Sequence, residues 1–359
     1  MTVFHENGST THIIHNKLMS ILLVVFLMVL SCCGTSTNSL KEASVKEDSL
    51  QYPSDIISSI GEWSILLGNG ESQKQLKSFQ HTDYYFTAND SIDWVVFKTP
   101  NGGVTSPNSH NTRTELGQKK RWTAKEGGKL SATLKVMHVS TSGDARVAAS
   151  YSVVVGQIHS DTGHENEPLK IFYKKFPGHR KGSLFWNYEI NTEGDNSGRW
   201  DYSTAVWGYD MSIIGTDAND YPEEPKEGIA LGEEFSYEVN VFDGIMYLTF
   251  ESPNHETKKY TKSLIMSEFN SKSDIPSQIV NLYSIIGRDG TERANAYEGE
   301  EQFFKLGNYN QSNGREPETN MVWSTGAETY GGNLTQQYSN GSYTEVWFRE
   351  ASVGEGIEP

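Results

Sequence analysis

The stretch Phe235-Ser-Tyr-Glu-Val-Asn-Val-Phe242-Asp243-Gly244-Ile245-Met-Tyr-Leu-Thr-Phe250 sets two runs rich in aromatic and β-branched residues on either side of an Asp-Gly pair. Asp-Gly supplies the positive φ angles of a two-residue turn, so the runs read as an antiparallel hairpin. The same texture recurs along the chain. Trp94-Val-Val-Phe97, Lys129–Val136, Ala148–Val155 and Tyr343–Phe348 are further strand candidates, separated by Gly, Asn, Asp and Pro, with no long segment of helical period between them. A short helical turn is expected over Asp55–Ile60, ahead of a strand at Trp63–Leu67. Many short strands with few helices imply an all-β chain, and the expected architecture is a β-jelly roll, a sandwich of two antiparallel sheets.

With 359 residues, abundant aromatics and high glycine, the chain can bury a sizeable core, and an all-β sandwich absorbs this length as one domain. A net charge of -16 argues against nucleic acid as a partner, because phosphate binding wants a basic face. The apolar run Ile21–Leu30 follows Lys17 and is too short to span a hydrocarbon core of about 30 Å, but it suits the apolar region of an export signal. Leu30-Ser31-Cys32-Cys33-Gly34 after it resembles a bacterial lipoprotein signal, with Cys32 as the lipid acceptor. The expectation is therefore a signal over 1–31, a Ser/Thr/Asn/Lys/Glu-rich tether over 32–51 and a globular body over 52–359, exported and held at an envelope membrane by that lipid alone or released outside the cell. Cys32 and Cys33 are the only cysteines, so the body has no disulfide or thiol chemistry. The acidic, proline-containing stretch Thr216–Gly228 reads as a surface loop rather than a linker.

Three stretches place unusual groups on one strand face. In Val155-Gly-Gln-Ile-His-Ser160, Gln157 and His159 share a face and Ile158 turns to the other. Arg113 and Glu115 share a face in Asn111-Thr-Arg-Thr-Glu-Leu-Gly-Gln118, and so do Lys305, Gly307 and Tyr309 in Phe303-Phe-Lys-Leu-Gly-Asn-Tyr-Asn-Gln311, where the glycine is expected to leave room for a bound molecule. Each alone has an ordinary structural reading: an ion pair, a solvated strand, a strand running out into solvent.

Taken in order, Arg-Thr-Glu-Leu, Gln-Ile-His and Phe-Phe-Lys-x-Gly-x-Tyr-Asn-Gln resemble the three signature regions of the alginate lyases of polysaccharide lyase family 7. The resemblance covers essentially the whole body and implies a jelly roll with a concave substrate cleft. It also implies Arg113, Gln157, His159 and Tyr309 as catalytic groups, with Glu115, Lys305, Gln311 and Lys119 binding substrate. There are departures. Gly117 stands where the family usually has a second arginine, with Lys119, Lys120 or Arg121 as stand-ins, and Phe303 and Leu306 replace a tyrosine and an alanine. The segment between Ser160 and Phe235 is long for the family.

The residue types suit the implied chemistry. Removing the C5 proton of a uronate builds negative charge beside its carboxylate, which Arg113 and the Gln157 amide would neutralise without a metal or other cofactor. His159 would act as general base, and Tyr309 would protonate the leaving oxygen. The acidic polysaccharide alginate is the expected partner, with guluronate-containing blocks suggested by Ile158, and a monomer is expected. Competing readings are a non-catalytic carbohydrate-binding jelly roll, a lyase for another polyuronate such as glucuronan, and a hydrolase, for which Glu115 and Glu189 are the available carboxylates.

Overall fold

The hairpin forms as expected: Phe242 pairs with Ile245 across Asp243 (φ 47°) and Gly244 (φ 79°). The computed structural model describes residues 51–105, 109–161, 167–192, 195–265, 299–316, 318–326 and 332–359, with the backbone alone over 190–202. The signal, most of the tether and Cys32 lie outside the described residues.

Two antiparallel sheets make up the body. One runs β11 (Asp195–Trp207), β10 (Lys181–Thr192), β9 (Leu169–Lys174), β8 (Ser152–Ser160), β16 (Glu301–Asn310), β5 (Arg113–Gln118), β1 (Trp63–Leu66), β2 (Ser72–Gln73), with β12 (Ile229–Ala230) beside β10 and β6 (Trp122–Thr123) beside β16. The other runs β15 (His255–Ser263), β14 (Ile245–Ser252), β13 (Glu234–Phe242), β7 (Gly128–His138), β19 (Tyr343–Gly354), β4 (Ile92–Pro100), β3 (Tyr85–Asp90). A small ribbon pairs β17 (Gly314–Arg315) with β18 (Val322–Trp323). The expected helical turn is α1 (Pro53–Ile56), followed by a 3-10 turn at Ile60–Glu62.

The core lies between the sheets. Leu116, Val155, Ile158, Phe304 and Leu306 of the first meet Phe97, Leu134, Tyr237, Val239 and Phe348 of the second. Polar ties cross the same interface: the Asn308 amide donates to the carbonyls of Phe97 and Thr344, and the Tyr237 hydroxyl donates to Val155 O at 3.0 Å. Burying these hydrogen-bonded groups fixes the lateral position of one sheet on the other, which apolar contact alone does not.

Three expectations change. Ala148–Tyr151 form turns rather than strand, with Tyr151 at φ 59°, and β8 starts at Ser152. Its polar end does not run into solvent, since β16 flanks it as far as Ser160 and β9 as far as Ile158. The segment after Ser160 holds three long strands, β9 to β11, which widen the first sheet. A helix unforeseen in the sequence, α2 (Leu334–Asn340), starts at Asn333, whose side chain accepts from Gln336 N, and ends at Gly341 in the left-handed region.

Candidate active site

Strands β8, β16 and β5 are neighbours, so the three motifs converge. Arg113 pairs with Tyr309, Glu115 with Gly307 and Gly117 with Lys305; Lys305 also pairs with Gln157, and Phe303 with His159. A bulge aims the histidine motif. Between Val154 and Gly156 the pairing with β9 slips by one residue, so Val155 and Ile158 enter the core while Gln157 and His159 face outward. The bulge needs a glycine, because a Cβ on Gly156 would lie 2.5 Å from the Tyr237 hydroxyl.

Around Arg113 the groups are tightly connected. Nη1 donates to Glu115 Oε2 at 3.2 Å, Nη2 donates to Ser109 Oγ at 2.5 Å, and the guanidinium carbon lies 3.6 Å from the Tyr309 ring centre. Ser109 Oγ is 3.2 Å from the Tyr309 hydroxyl. Gln157 Nε2 donates to Glu115 Oε1, and Lys305 Nζ is 4.0 Å from Glu115 Oε2. Glu115 thus gathers Arg113, Gln157 and Lys305, which makes it an organiser of the cluster as well as the ion-pair partner its spacing suggested. Among the described residues, two buried donors in this region have no acceptor, Arg113 Nε and Gln311 Nε2, and the Gln157 carbonyl oxygen is likewise unpartnered. Such groups carry the full cost of desolvation until a ligand satisfies them.

His159 is oriented by the backbone carbonyl of the next residue. Nδ1 donates to Ser160 O at 2.6 Å, leaving Nε2 with the lone pair. Burial, with Lys305, Arg113 and Lys170 nearby, holds its pKa well below the usual histidine range against the opposing Ser160 hydrogen bond. The ring is therefore neutral at neutral pH and able to accept a proton. Phe303 packs on it at 5.2 Å, and Arg121 caps Phe303 at 3.9 Å while pairing with Asp161. Burial and Arg113 lower Lys305 to about 8, opposed by Glu115 and Glu167. An arginine, a neutral histidine and a tyrosine hydroxyl on one face suit taking a proton from carbon beside an anion and returning one to a leaving oxygen.

A family model described as alginate lyase matches residues 58–355. The chain belongs to the alginate lyases of polysaccharide lyase family 7. An exolytic family 7 alginate lyase from Zobellia galactanivorans is 67% identical in a structural match with TM-score 0.80 that covers 86% of this chain and 99% of that one. An alginate lyase from Klebsiella pneumoniae is 31% identical over 202 residues, which is 47% of this chain and 60% of that protein, so the aligned part spans under two thirds of the relative. The crystal structure of an alginate lyase from Klebsiella pneumoniae, 20% identical, shares the fold with TM-score 0.58 over 86% of this chain and all of that one.

In this family 7 member not every expected residue joins the cluster. Lys119 turns away: its ammonium donates to Gly61 O at 2.8 Å, while Lys120 pairs with Glu355. Arg121 alone of the three stand-in cations reaches the rim. Gly307 does not leave room for a ligand. It sits at φ 141°, and a Cβ there would lie 2.7 Å from Thr114 O and 3.0 Å from the Phe97 ring, so close backbone packing demands the glycine.

Strands β9 and β10 add groups that no short motif marks. Lys170, in register with Gln157, bonds Glu189 Oε2 at 2.6 Å and lies 3.3 Å from Glu167 Oε2, and Glu167 Oε1 lies 3.6 Å from His159 Nε2. With Glu115 and Glu189 both held in ion pairs, the two carboxylates considered for hydrolysis serve cations instead. Beyond them the loop after β11 lies over the sheet. Met211 N donates to Ser203 Oγ, Asn187 Nδ2 lies 3.3 Å from Met211 Sδ, and Lys174 Nζ donates to Ala148 O at 2.7 Å and Ile213 O at 3.3 Å. Phe172, Phe185 and Asn187 are buried beneath it. Among the described residues, no group of three or more His, Cys, Asp or Glu is placed to hold a metal.

Proposed function

We propose that the protein cleaves alginate by β-elimination at guluronate-containing stretches, working from a chain end and leaving a 4,5-unsaturated uronate. The observation that carries the reading is the convergence of Arg113, Gln157, His159 and Tyr309 from three separate strands onto one face, with Arg113 Nε buried and lacking an acceptor. In this reading Arg113 and a Gln157 N–H bind the carboxylate beside C5, and His159 Nε2 takes the C5 proton. The electrons form the C4–C5 double bond as the C4–O bond breaks, and Tyr309 gives its proton to the departing oxygen. Action from a chain end is supported by the loop after β11, which packs over β9 and β10, and by the exolytic relative at 67% identity. The guluronate preference rests on Ile158, whose side chain lies in the core beneath Gln157 and His159.

The test is incubation with guluronate-rich and mannuronate-rich alginate separately, following the near-ultraviolet absorbance of the new double bond and the product sizes. Saturated reducing ends without new absorbance would identify a hydrolase. Faster cleavage of the mannuronate-rich polymer would remove the block preference.

Export with lipid on Cys32, and action as a monomer, belong to the same proposal. Cys32→Ala is expected to release the protein from the membrane fraction of a host that processes lipoproteins, or to block its maturation, and light scattering of the soluble body is expected to give the monomer mass.

A further inference from the structure

Among the described residues, three cations and three carboxylates crowd the site face: Arg113, Lys170 and Lys305 against Glu115, Glu167 and Glu189. The carboxylates are not equivalent. Glu115 is fixed by Arg113 and Gln157 with its side chain 3% exposed, and Glu189 is 0% exposed against Lys170. Glu167 is 16% exposed, and its two oxygens reach Lys170 Nζ at 3.3 Å and the proton-accepting nitrogen of His159 at 3.6 Å. Its charge is felt more widely. Burial lowers the Arg113 pKa, but Tyr309, Glu115 and Glu167 outweigh it, and Glu167 also opposes the loss of charge at Lys305.

Glu167 therefore stands among the cations that would receive the carboxylate of the reacting sugar, and on the side of His159 from which a C5 proton would have to come. We infer that Glu167 is a resident anion which a uronate carboxylate replaces on binding, and that it sets the enzyme's affinity and selectivity for charged sugars. A uronate brings the charge that Glu167 withdraws, so the exchange leaves the buried cations compensated. A neutral sugar brings none, and displacing Glu167 would leave Lys170, Arg113 and Lys305 with a deficit that a low-dielectric site penalises heavily. Glu167 touches no reacting atom in this scheme; it competes with the substrate.

The inference rests on the lyase reading, and the experiment separates the two. In steady-state kinetics on alginate oligosaccharides at constant ionic strength, Glu167→Gln is expected to lower KM by about three- to tenfold, the range for loss of one partly screened competing charge, with kcat within about twofold of wild type. Glu167→Ala is expected to behave alike. Independently of any turnover, sulfate should raise the Tm of Glu167→Gln but not of the wild type at matched ionic strength, because a free anion then finds the vacated cations. A raised KM would make Glu167 a sugar ligand, and a lowered kcat with unchanged KM would make it a positioning group for His159. Either result, or an unresponsive Tm, overturns the inference. A wild type inactive on alginate together with a sulfate-responsive variant would sink the lyase reading and leave the resident anion standing.

Discussion

His159 carries the sharpest expectations at the scale of single residues. A general base contributes about 10²–10⁴-fold, so His159→Ala is expected to lower kcat by that factor while leaving oligosaccharide affinity within a few-fold of wild type. Near-normal turnover would reassign the base. The pH profile follows from two shifted groups. His159 must be unprotonated to act, and burial among cations holds its pKa well below the usual range, so kcat/KM is expected to stay level on the acid side through pH 6.5 and fall only at lower pH. Lys305 loses its charge as pH rises through about 8, which should raise KM above that pH. A profile centred on an unperturbed histidine would contradict this assignment. The four catalytic candidates were legible in sequence because each sits in a short motif whose alternation already puts the groups on one face. Glu167 and Lys170 were not: they flank Pro168-Leu169 in a stretch whose importance comes only from β9 lying beside β8.

Two elements decide what those residues can do, the bulge in β8 and the loop over β9 and β10. The bulge depends on a bare Cα at position 156, so Gly156→Ala is expected to cost about 1–3 kcal/mol, measured by denaturant unfolding, and to lower activity by tilting Gln157 and His159. Retained stability with wild-type turnover would show that the slip in register does not need the glycine. The loop is pinned by Lys174, whose ammonium bonds the carbonyls of Ile213 within it and of Ala148 in the turn before β8, and whose pKa is pushed by burial to about 7, with Asp210 opposing. Lys174→Ala removes the pin, and the expected outcome is a shift from the shortest products toward longer ones in a product-size assay. Unchanged product sizes would mean that this loop does not set the mode of cleavage. Neither element could be read from the sequence. The strands β9 and β10 escaped because both their faces are covered, so Leu169–Lys174 is buried throughout and shows no alternation. Lys170 and Glu189, near-isolated charges within these strands, look incidental until the fold pairs them.

Over the whole molecule, a net charge of -16 must coexist with a polyanionic substrate. A locally basic cleft would resolve this, but the site's cations are matched by Glu115, Glu167 and Glu189, and Lys119 and Lys120 point elsewhere. Long-range repulsion is then largely unrelieved at low salt, where the screening length is about 30 Å at 0.01 M against about 8 Å at 0.15 M. Raising salt across that interval is expected to increase kcat/KM on long alginate, with a smaller effect on short oligomers; a monotonic decrease would indicate a net attractive face. The jelly roll itself was legible from strand texture and one Asp-Gly turn, whereas the contacts that lock the two sheets in place join residues far apart in the chain. One such contact, Tyr237 against the β8 bulge, bears on how this fold can change over evolutionary time. Tyr237 donates to Val155 O and fills the space that a side chain at 156 would need, so residue 156 cannot grow while Tyr237 keeps its place. Lineages that enlarge residue 156 must first trim residue 237, and the reverse order passes through a clash. Catalytic aim and interior packing thus share a single ordered path through sequence space, which ties the history of the site to that of the opposite sheet.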